Sequence, residues 1–163
     1  MSFTIREKNS PDDMKFFSEL EYESFKTTLK DQNIPEKEKR EKFKAFLEAD
    51  PLDPEGPDHR IYIIENERGI RCGLIWICNR KPFWRFKNQH TWIYNLHIIN
   101  EYRGIGLARQ LLFKAEEWSV SHGLNSIALH VIDSNQIARH LYESLGYKLV
   151  ETHKESCFYE KML

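Results

Sequence analysis

The sequence has few cysteines, no excess of charge of either sign and no long apolar run. Its three cysteines, Cys72, Cys78 and Cys157, include no CxxC pair, so neither a disulfide framework nor a zinc knuckle is indicated. The 24 basic and 25 acidic residues leave a formal net charge of −1, which argues against nucleic acid or an anionic membrane as the main partner. No apolar stretch approaches the roughly 20 residues that span a bilayer.

Several common signatures are also missing. The charged start of the chain lacks the apolar core of a signal peptide. There is no HExxH, GxSxG or GxxxxGKS/T motif, so no metal site, nucleophile elbow or nucleotide-triphosphate loop is predicted. A length of 163 residues fits one domain, residues 1–163, large enough to bury a core without disulfides. We therefore expect a single-domain cytoplasmic protein without a metal.

The first half of the chain predicts two helices and then a run of strands. Residues 3–6 can form a first strand, and Ser10 followed by Pro11 and two acids is typical of a helix start. A second helix is expected to begin near Pro35, and three apolar residues should form its buried side. These are Phe43, Phe46 and Leu47. The two-residue period of strands then appears in residues 60–65, 71–79 and 92–99.

The second half alternates between helix and strand. A helix is expected over about residues 105–122, closed by Gly123, and a strand follows at 127–131. A further helix should begin at Asn135, and two strands follow from Tyr147 onward. The four-residue spacing of Ile137, Leu141 and Leu145 predicts its core face. Strands mixed with helices in this way favour a mixed α/β sheet.

The segment Tyr102–Ala108 is the most informative stretch for function. It follows a strand and opens an amphipathic helix, and its small residues at 104, 106 and 108 let a ligand approach the backbone closely. The first amides of a helix lack internal partners and lie at the positive end of its dipole, so they can bind a pyrophosphate. Arg103 adds a permanent positive charge. A dinucleotide fingerprint does not fit, because Arg109 stands where its third glycine belongs.

Two motifs in this part of the chain resemble those of the GNAT superfamily of acyl-CoA-dependent N-acetyltransferases. Arg103, Gly106 and Ala108 match its R/Q-x-x-G-x-G/A signature. Residues 135–147 resemble its N-x-x-A-x-x-x-Y-x-x-x-G-F/Y block, through Asn135, Ala138, Tyr142, Gly146 and Tyr147. The detailed match covers residues 92–150, and residues 1–91 agree only in outline.

The resemblance implies a fold and a cofactor site. The fold is an α/β fold of the α+β type, with a central mixed, mostly antiparallel β-sheet flanked by helices and splayed open beside the fourth strand. The resemblance implies that acetyl-CoA enters this opening and that Leu96 and Ile98 pair with its pantetheine arm through their backbone. Asn135 would contact the pantetheine or acyl region. The pyrophosphate would be held by the backbone of Arg103, Gly104, Ile105, Gly106, Leu107 and Ala108.

Two side chains are candidates for acid and base catalysis. Asn135, Ala138 and Tyr142 share one helical face, and a phenol with a pKa of about 10 could protonate a departing thiolate. The alternative for Tyr142 is an amphipathic tyrosine at the core boundary. His130, on the strand face opposite Leu129 and Val131, is the candidate base, because a pKa near 6.5 suits proton abstraction. A histidine bonded at a sheet edge is the alternative, and His97 is a second choice for the base.

We therefore predict an N-acetyltransferase that passes an acetyl group from acetyl-CoA directly to a primary amine of a small molecule or protein. The sequence leaves open the identity of the amine and the oligomeric state, a homodimer included. One rival is an acyl-CoA-binding sensor without activity. The other is a nucleic-acid or protein interaction module built on residues 81–92, where Phe83, Trp84 and Phe86 alternate with cations. A packed loop is the favoured interpretation of that segment.

Overall fold

The computed structural model describes residues 1–163 and contains seven strands and four helices. The helices are α1 (Pro11–Lys26), α2 (Glu36–Ala49), α3 (Leu107–Ser121) and α4 (Gln136–Ser144). The strands are β1 (Phe3–Glu7), β2 (His59–Asn66), β3 (Arg71–Arg80), β4 (His90–Ile98), β5 (Ser126–Ile132), β6 (Lys148–His153) and β7 (Ser156–Met162). None of the helices is long and apolar enough to cross a membrane.

The strands form one sheet in the order β1-β2-β3-β4-β5-β7-β6. All neighbours are antiparallel except β4 and β5, which are parallel. This parallel pair is joined only at Thr91↔Ile127 and Trp92↔Ala128, and beyond these residues the two strands separate. The prediction of a mixed, mostly antiparallel sheet that opens beside its fourth strand is confirmed.

Helix α1 begins where the sequence predicts. Ser10 is its N-cap and accepts a hydrogen bond from the Asp13 backbone amide at 3.2 Å, with Pro11 in the first turn. Asp13 itself is fully buried and pairs with Arg6 of β1 and Arg71 of β3, at 2.8 and 2.7 Å. These two ion pairs attach the start of α1 to the sheet, on which Phe17 and Leu20 pack.

The two faces of the sheet carry different layers. On one face α3 and α4 cover the main core, which includes Ile75, Leu111 and Leu129. On the other face α1 covers β2 and β3, and the segment between β3 and β4 covers β4, β5 and β7. Where β4 and β5 separate, the sheet no longer divides these two layers.

Helix α2 does not have the buried side that the sequence predicts. It forms at the predicted place, but none of its residues is fully buried. Phe43 and Phe46 contact Phe25 of α1 with ring centroids 5.2 Å apart, yet Phe46 stays 57% exposed and Leu47 48% exposed. The aromatic contacts of the helix are with Tyr22 and Phe25 of α1, and this surface is too narrow to bury three apolar side chains.

The aromatic segment at residues 81–92 is a packed loop followed by the first residues of β4. Phe83 and Phe86 pack on Trp92, and the Arg80 guanidinium stands 3.7 Å from the centre of the Phe83 ring. Arg85 is paired with Glu151 of β6 at 2.7 Å. Most of the side chains that suggested an interaction module are thus occupied by contacts within the chain.

Candidate active site

A cleft of about 670 Å³ lies where β4 and β5 separate. Its walls come from α1, from both strands, from the loop before α3 and from α4. It brings together every site residue that the sequence predicts except Ile105, which is exposed beside it. These are Leu96, Ile98, Arg103, Gly104, Gly106, Leu107, Ala108, His130, Asn135 and Tyr142.

The loop at one end of the cleft leaves its backbone open to the surroundings. Gly104 and Gly106 have φ values of +79° and +88°, which other residues rarely adopt. A Cβ added at either glycine would meet no atom within 4 Å, so open space lies beside the backbone. Gly106 caps α3 without a side-chain partner for the first amides of the helix. The Arg103 Nε donates to the Ile98 carbonyl at 2.8 Å and ties the loop to the end of β4.

A β-bulge shapes the strand on the near side of the cleft. Trp76 pairs with Asn95 and Ile77 with Ile93, so Tyr94 is an extra residue in β4. The side chains of Tyr94 and Asn95 consequently both face α1, although strict alternation would send them to opposite faces. The sequence gives no sign of this bulge.

Helix α4 forms the far wall. Asn135 is its N-cap, and the Asn135 Oδ1 accepts a hydrogen bond from the Ala138 amide at 3.1 Å. The predicted core face of this helix is wrong at one position, because Ile137 lines the cleft and is 88% exposed. Leu141 and Leu145 are half-buried, and Tyr142 is the buried residue of the helix.

Tyr142 belongs to both the core and the cleft. It is 7% exposed, and its ring contacts those of Tyr147 and Tyr159 at centroid distances of 5.7 and 6.4 Å. Burial raises the pKa of the Tyr142 phenol well above its usual value. The phenol therefore keeps its proton at neutral pH, as a general acid must.

His130 lies on the face of β5 opposite Leu129, as predicted. Its ring stands 6.0 Å from that of Trp92 and 5.6 Å from that of Phe158, and it makes no hydrogen bond to the protein. Desolvation and the positive charge of Arg80 lower its pKa, so the imidazole is neutral at neutral pH. Its protein environment leaves open which ring nitrogen carries the proton.

A chain of polar side chains connects β4 to α1 on the same face. The Ser24 Oγ lies 2.9 Å from the His97 Nδ1 and 3.3 Å from the Asn95 Oδ1. The Asn95 Nδ2 donates to the Glu21 Oε1 at 2.6 Å. Burial raises the pKa of Glu21 to about 7, partly offset by the hydrogen bond from Asn95. The sequence indicated only His97, as a second choice.

The comparison with known proteins decides the family. A profile of the Acetyltransferase (GNAT) family matches residues 15–147, most of the chain. The chain belongs to the GNAT family. The uncharacterized N-acetyltransferase YdgE of Bacillus subtilis is 27% identical over 161 residues, which cover 96% of this chain and 100% of YdgE. The uncharacterized N-acetyltransferase YycN of the same species is 33% identical over 105 residues, covering 64% of this chain and 65% of YycN, just under two thirds.

The GNAT fold is also shared with solved structures. The PaiA N-acetyltransferase of Thermoplasma acidophilum, crystallised in complex with coenzyme A, matches with a TM-score of 0.73 and 20% identity, covering 100% of each chain. By family the protein is thus an acyltransferase.

The buried carboxyl group of Glu21 should make the stability of this GNAT chain depend on pH. Glu21→Gln is expected to raise the free energy of unfolding at pH 8 by about 1–3 kcal/mol and to leave it unchanged at pH 4. The folded pKa of about 7 exceeds the ordinary value of 4.5, so the contribution of Glu21 is present at low pH and is lost as pH rises from 4.5 through 7. Urea denaturation at the two pH values measures this, with the exposed Glu19→Gln as a control that should change neither. An equal effect at both pH values would contradict the prediction.

Proposed function

We propose that this GNAT protein transfers the acetyl group of acetyl-CoA to a primary amine. The observation that supports this most is the position of the glycine loop, residues 103–108, at one end of a cleft that Tyr142 also lines. A pyrophosphate at the loop amides and an acetyl thioester near Tyr142 would be joined by a pantetheine arm running between β4 and β5.

The separated strands favour such an arm. Beyond Trp92 the backbone of β4 has no partner on the β5 side, so it is available to the amide groups of pantetheine. Leu96 and Ile98 are the residues predicted to make these bonds. The Ile98 carbonyl already accepts from Arg103, which leaves Leu96 as the freer of the two.

Direct attack is the mechanism that the chain supports. All three cysteines, Cys72, Cys78 and Cys157, are buried, and none lines the cleft. The amine nitrogen therefore attacks the thioester carbon itself, and the C–S bond breaks as the tetrahedral intermediate collapses. We propose that Tyr142 gives its proton to the departing thiolate and that a cleft histidine takes a proton from the amine, with His130 as the residue predicted from sequence.

Tyr142→Phe tests the acid. We expect kcat to fall by about 100-fold, while the KM for acetyl-CoA stays within about twofold, because only the proton at the reacting sulfur is lost. Tyr147→Phe is a matched control: the Tyr147 hydroxyl is buried, makes no hydrogen bond and lies outside the cleft. Steady-state kinetics of both variants decide the point, and unchanged turnover in Tyr142→Phe would leave the tyrosine with a structural role only.

The function as a whole is tested by binding and then by turnover. Calorimetric titration with acetyl-CoA, with NAD and ATP as controls, should give micromolar binding of acetyl-CoA alone. Release of free CoA is then measured with spermidine, L-lysine, an aminoglycoside and a tripeptide with a free N-terminus. Binding without release for any amine would favour a sensor, and absence of binding by folded protein would refute the acetyltransferase proposal.

A further inference from the structure

The chain from His97 to Glu21 has a fixed direction. A carboxylate can only accept, so the amide nitrogen of Asn95 must face Glu21, and the Asn95 Oδ1 then faces Ser24. This oxygen can only accept, so the Ser24 hydroxyl donates its single proton to it. What remains for the Ser24 oxygen is to accept from the His97 Nδ1, 2.9 Å away.

The direction of these bonds sets the tautomer of His97. If Nδ1 carries the proton, then Nε2 of the neutral ring is bare and can accept one. His97 lines the cleft, and Nε2 makes no hydrogen bond to the protein. Burial and the positive charge of Arg103 lower the pKa of the ring, so it is neutral at neutral pH.

His130 lacks such a constraint. It also lines the cleft, but it is held only by contact with the Trp92 and Phe158 rings. A base works best when its free nitrogen is held in place by a hydrogen bond at the other nitrogen, and only His97 has one.

We propose that His97 is the general base of the acetyl transfer and that Ser24, Asn95 and Glu21 are positioning residues that hold its Nδ1–H tautomer. The inference rests on the proposed function and replaces His130 in the role of base. The four side chains come from α1 and β4, which makes the α1 wall the side from which the amine approaches.

The protons balance in this assignment. The ammonium gives one proton to the His97 Nε2, and the freed lone pair attacks the thioester carbon. The C–S bond breaks, and the thiolate takes a proton from Tyr142. The second amine proton leaves the amide nitrogen and restores the phenol, and the imidazolium releases its proton to solvent. The products are an N-acetyl amine, free CoA and one proton.

The charges around His97 enter its pH dependence. Glu23 of α1 and Arg103 of the loop act on the ring with opposite signs, and Glu21 stands at the end of the chain. The hydrogen bonds from Asn95 to Glu21 and from Ser24 to Asn95 have this direction when Glu21 is ionised. Because the pKa of Glu21 is about 7, most of it is ionised at pH 8. The assays and spectra that test His97 are therefore done at pH 8 and above.

The decisive pair of variants is His97→Asn and His130→Asn, assayed with the amines named above. The Asn amide nitrogen can take the place of Nδ1 opposite Ser24 but cannot act as a base. We expect His97→Asn to lower kcat/KM for the amine about 100-fold at pH 8 with acetyl-CoA affinity within about twofold, and His130→Asn to lower it less than fivefold. The loss should shrink as pH approaches the pKa of the amine, about 10 for an alkylamine and about 8 for a peptide N-terminus, because the amine then loses its own proton. Ser24→Ala should lose about tenfold and Ser24→Thr should recover the activity.

Either of two results would overturn the assignment. One is a large loss in His130→Asn with little in His97→Asn, and the other is a loss in His97→Asn that is the same at every pH. A second measurement does not need turnover: long-range ¹H–¹⁵N correlation spectra at pH 8 should show the Nδ1–H tautomer of His97, and the Nε2–H tautomer would refute the chain. If the wild type acetylates none of the amines, the proposed function fails by itself, and the tautomer still decides the geometry.

Discussion

Asp13→Asn is expected to lower the free energy of unfolding by about 3–5 kcal/mol at neutral pH. The Asp13 carboxylate is fully buried, accepts two hydrogen bonds from Arg6 and one from Arg71, and also accepts from the Asn9 amide. An amide keeps one acceptor oxygen but removes the negative charge, so the Arg71 guanidinium loses its counter-ion and Arg6 keeps only Glu65. Urea denaturation followed by tryptophan fluorescence measures the loss. The exposed neighbour Asp12→Asn should change stability by less than about 0.5 kcal/mol.

The pH dependence of the same variant gives an independent test. The hydrogen bond from Arg6, the other donors and the positive charge hold the pKa of Asp13 well below its usual range. A depressed carboxyl pKa contributes stability that is present above the unfolded value near 4 and is lost as pH falls toward the folded value. The difference between wild type and Asp13→Asn should thus be full at pH 6 and narrow below about pH 4. Glu21, on the same helix, acts with the opposite sign.

Gly106→Trp is expected to raise the Kd for acetyl-CoA more than 100-fold. The indole would occupy the open space beside the loop amides, where the proposed pyrophosphate binds. The measurement is calorimetric titration of folded protein, checked by circular dichroism.

The control for this substitution is Gly69→Trp, in the turn between β2 and β3. Gly69 has a φ of +74°, and a Cβ there also meets nothing within 4 Å, so both variants place a side chain on left-handed backbone in open space. Only the variant at position 106 should lose affinity. Normal affinity in Gly106→Trp would show that the loop is a structural turn, and equal losses in both variants would point to strain instead.

The parts of the fold that sequence reasoning predicts are those with local causes. Ser10, Pro11 and the acids behind them fix the start of α1, and Gly123 closes α3, because helix caps depend on a few adjacent residues. The loop around Gly106 belongs to the same class, since its small residues at 104, 106 and 108 stand directly before the helix in the sequence.

The parts that sequence reasoning missed depend on distant partners. The bulge at Tyr94 depends on how β4 pairs with β3, and the position of Ser24 beside His97 depends on where α1 crosses the sheet. Ile137 has helical spacing with Leu141 and yet points into the cleft, because the spacing describes a stripe and not what covers it. Such placements follow from tertiary packing, which a single sequence does not display.

The short pairing between β4 and β5 divides the sheet into two parts, one of β1 to β4 and the other of β5 to β7. Only two residue pairs join these parts. On one face α3 supports the junction, because the Ser119 hydroxyl is hydrogen-bonded to that of Thr91. On the other face the loop before β4 contacts the second part of the sheet, through the Trp84–Phe158 ring contact and the Arg85–Glu151 ion pair. An acyl donor lying between the separated strands would take the place of a missing strand. The two parts of the sheet would then be joined along their whole length only while the donor is bound.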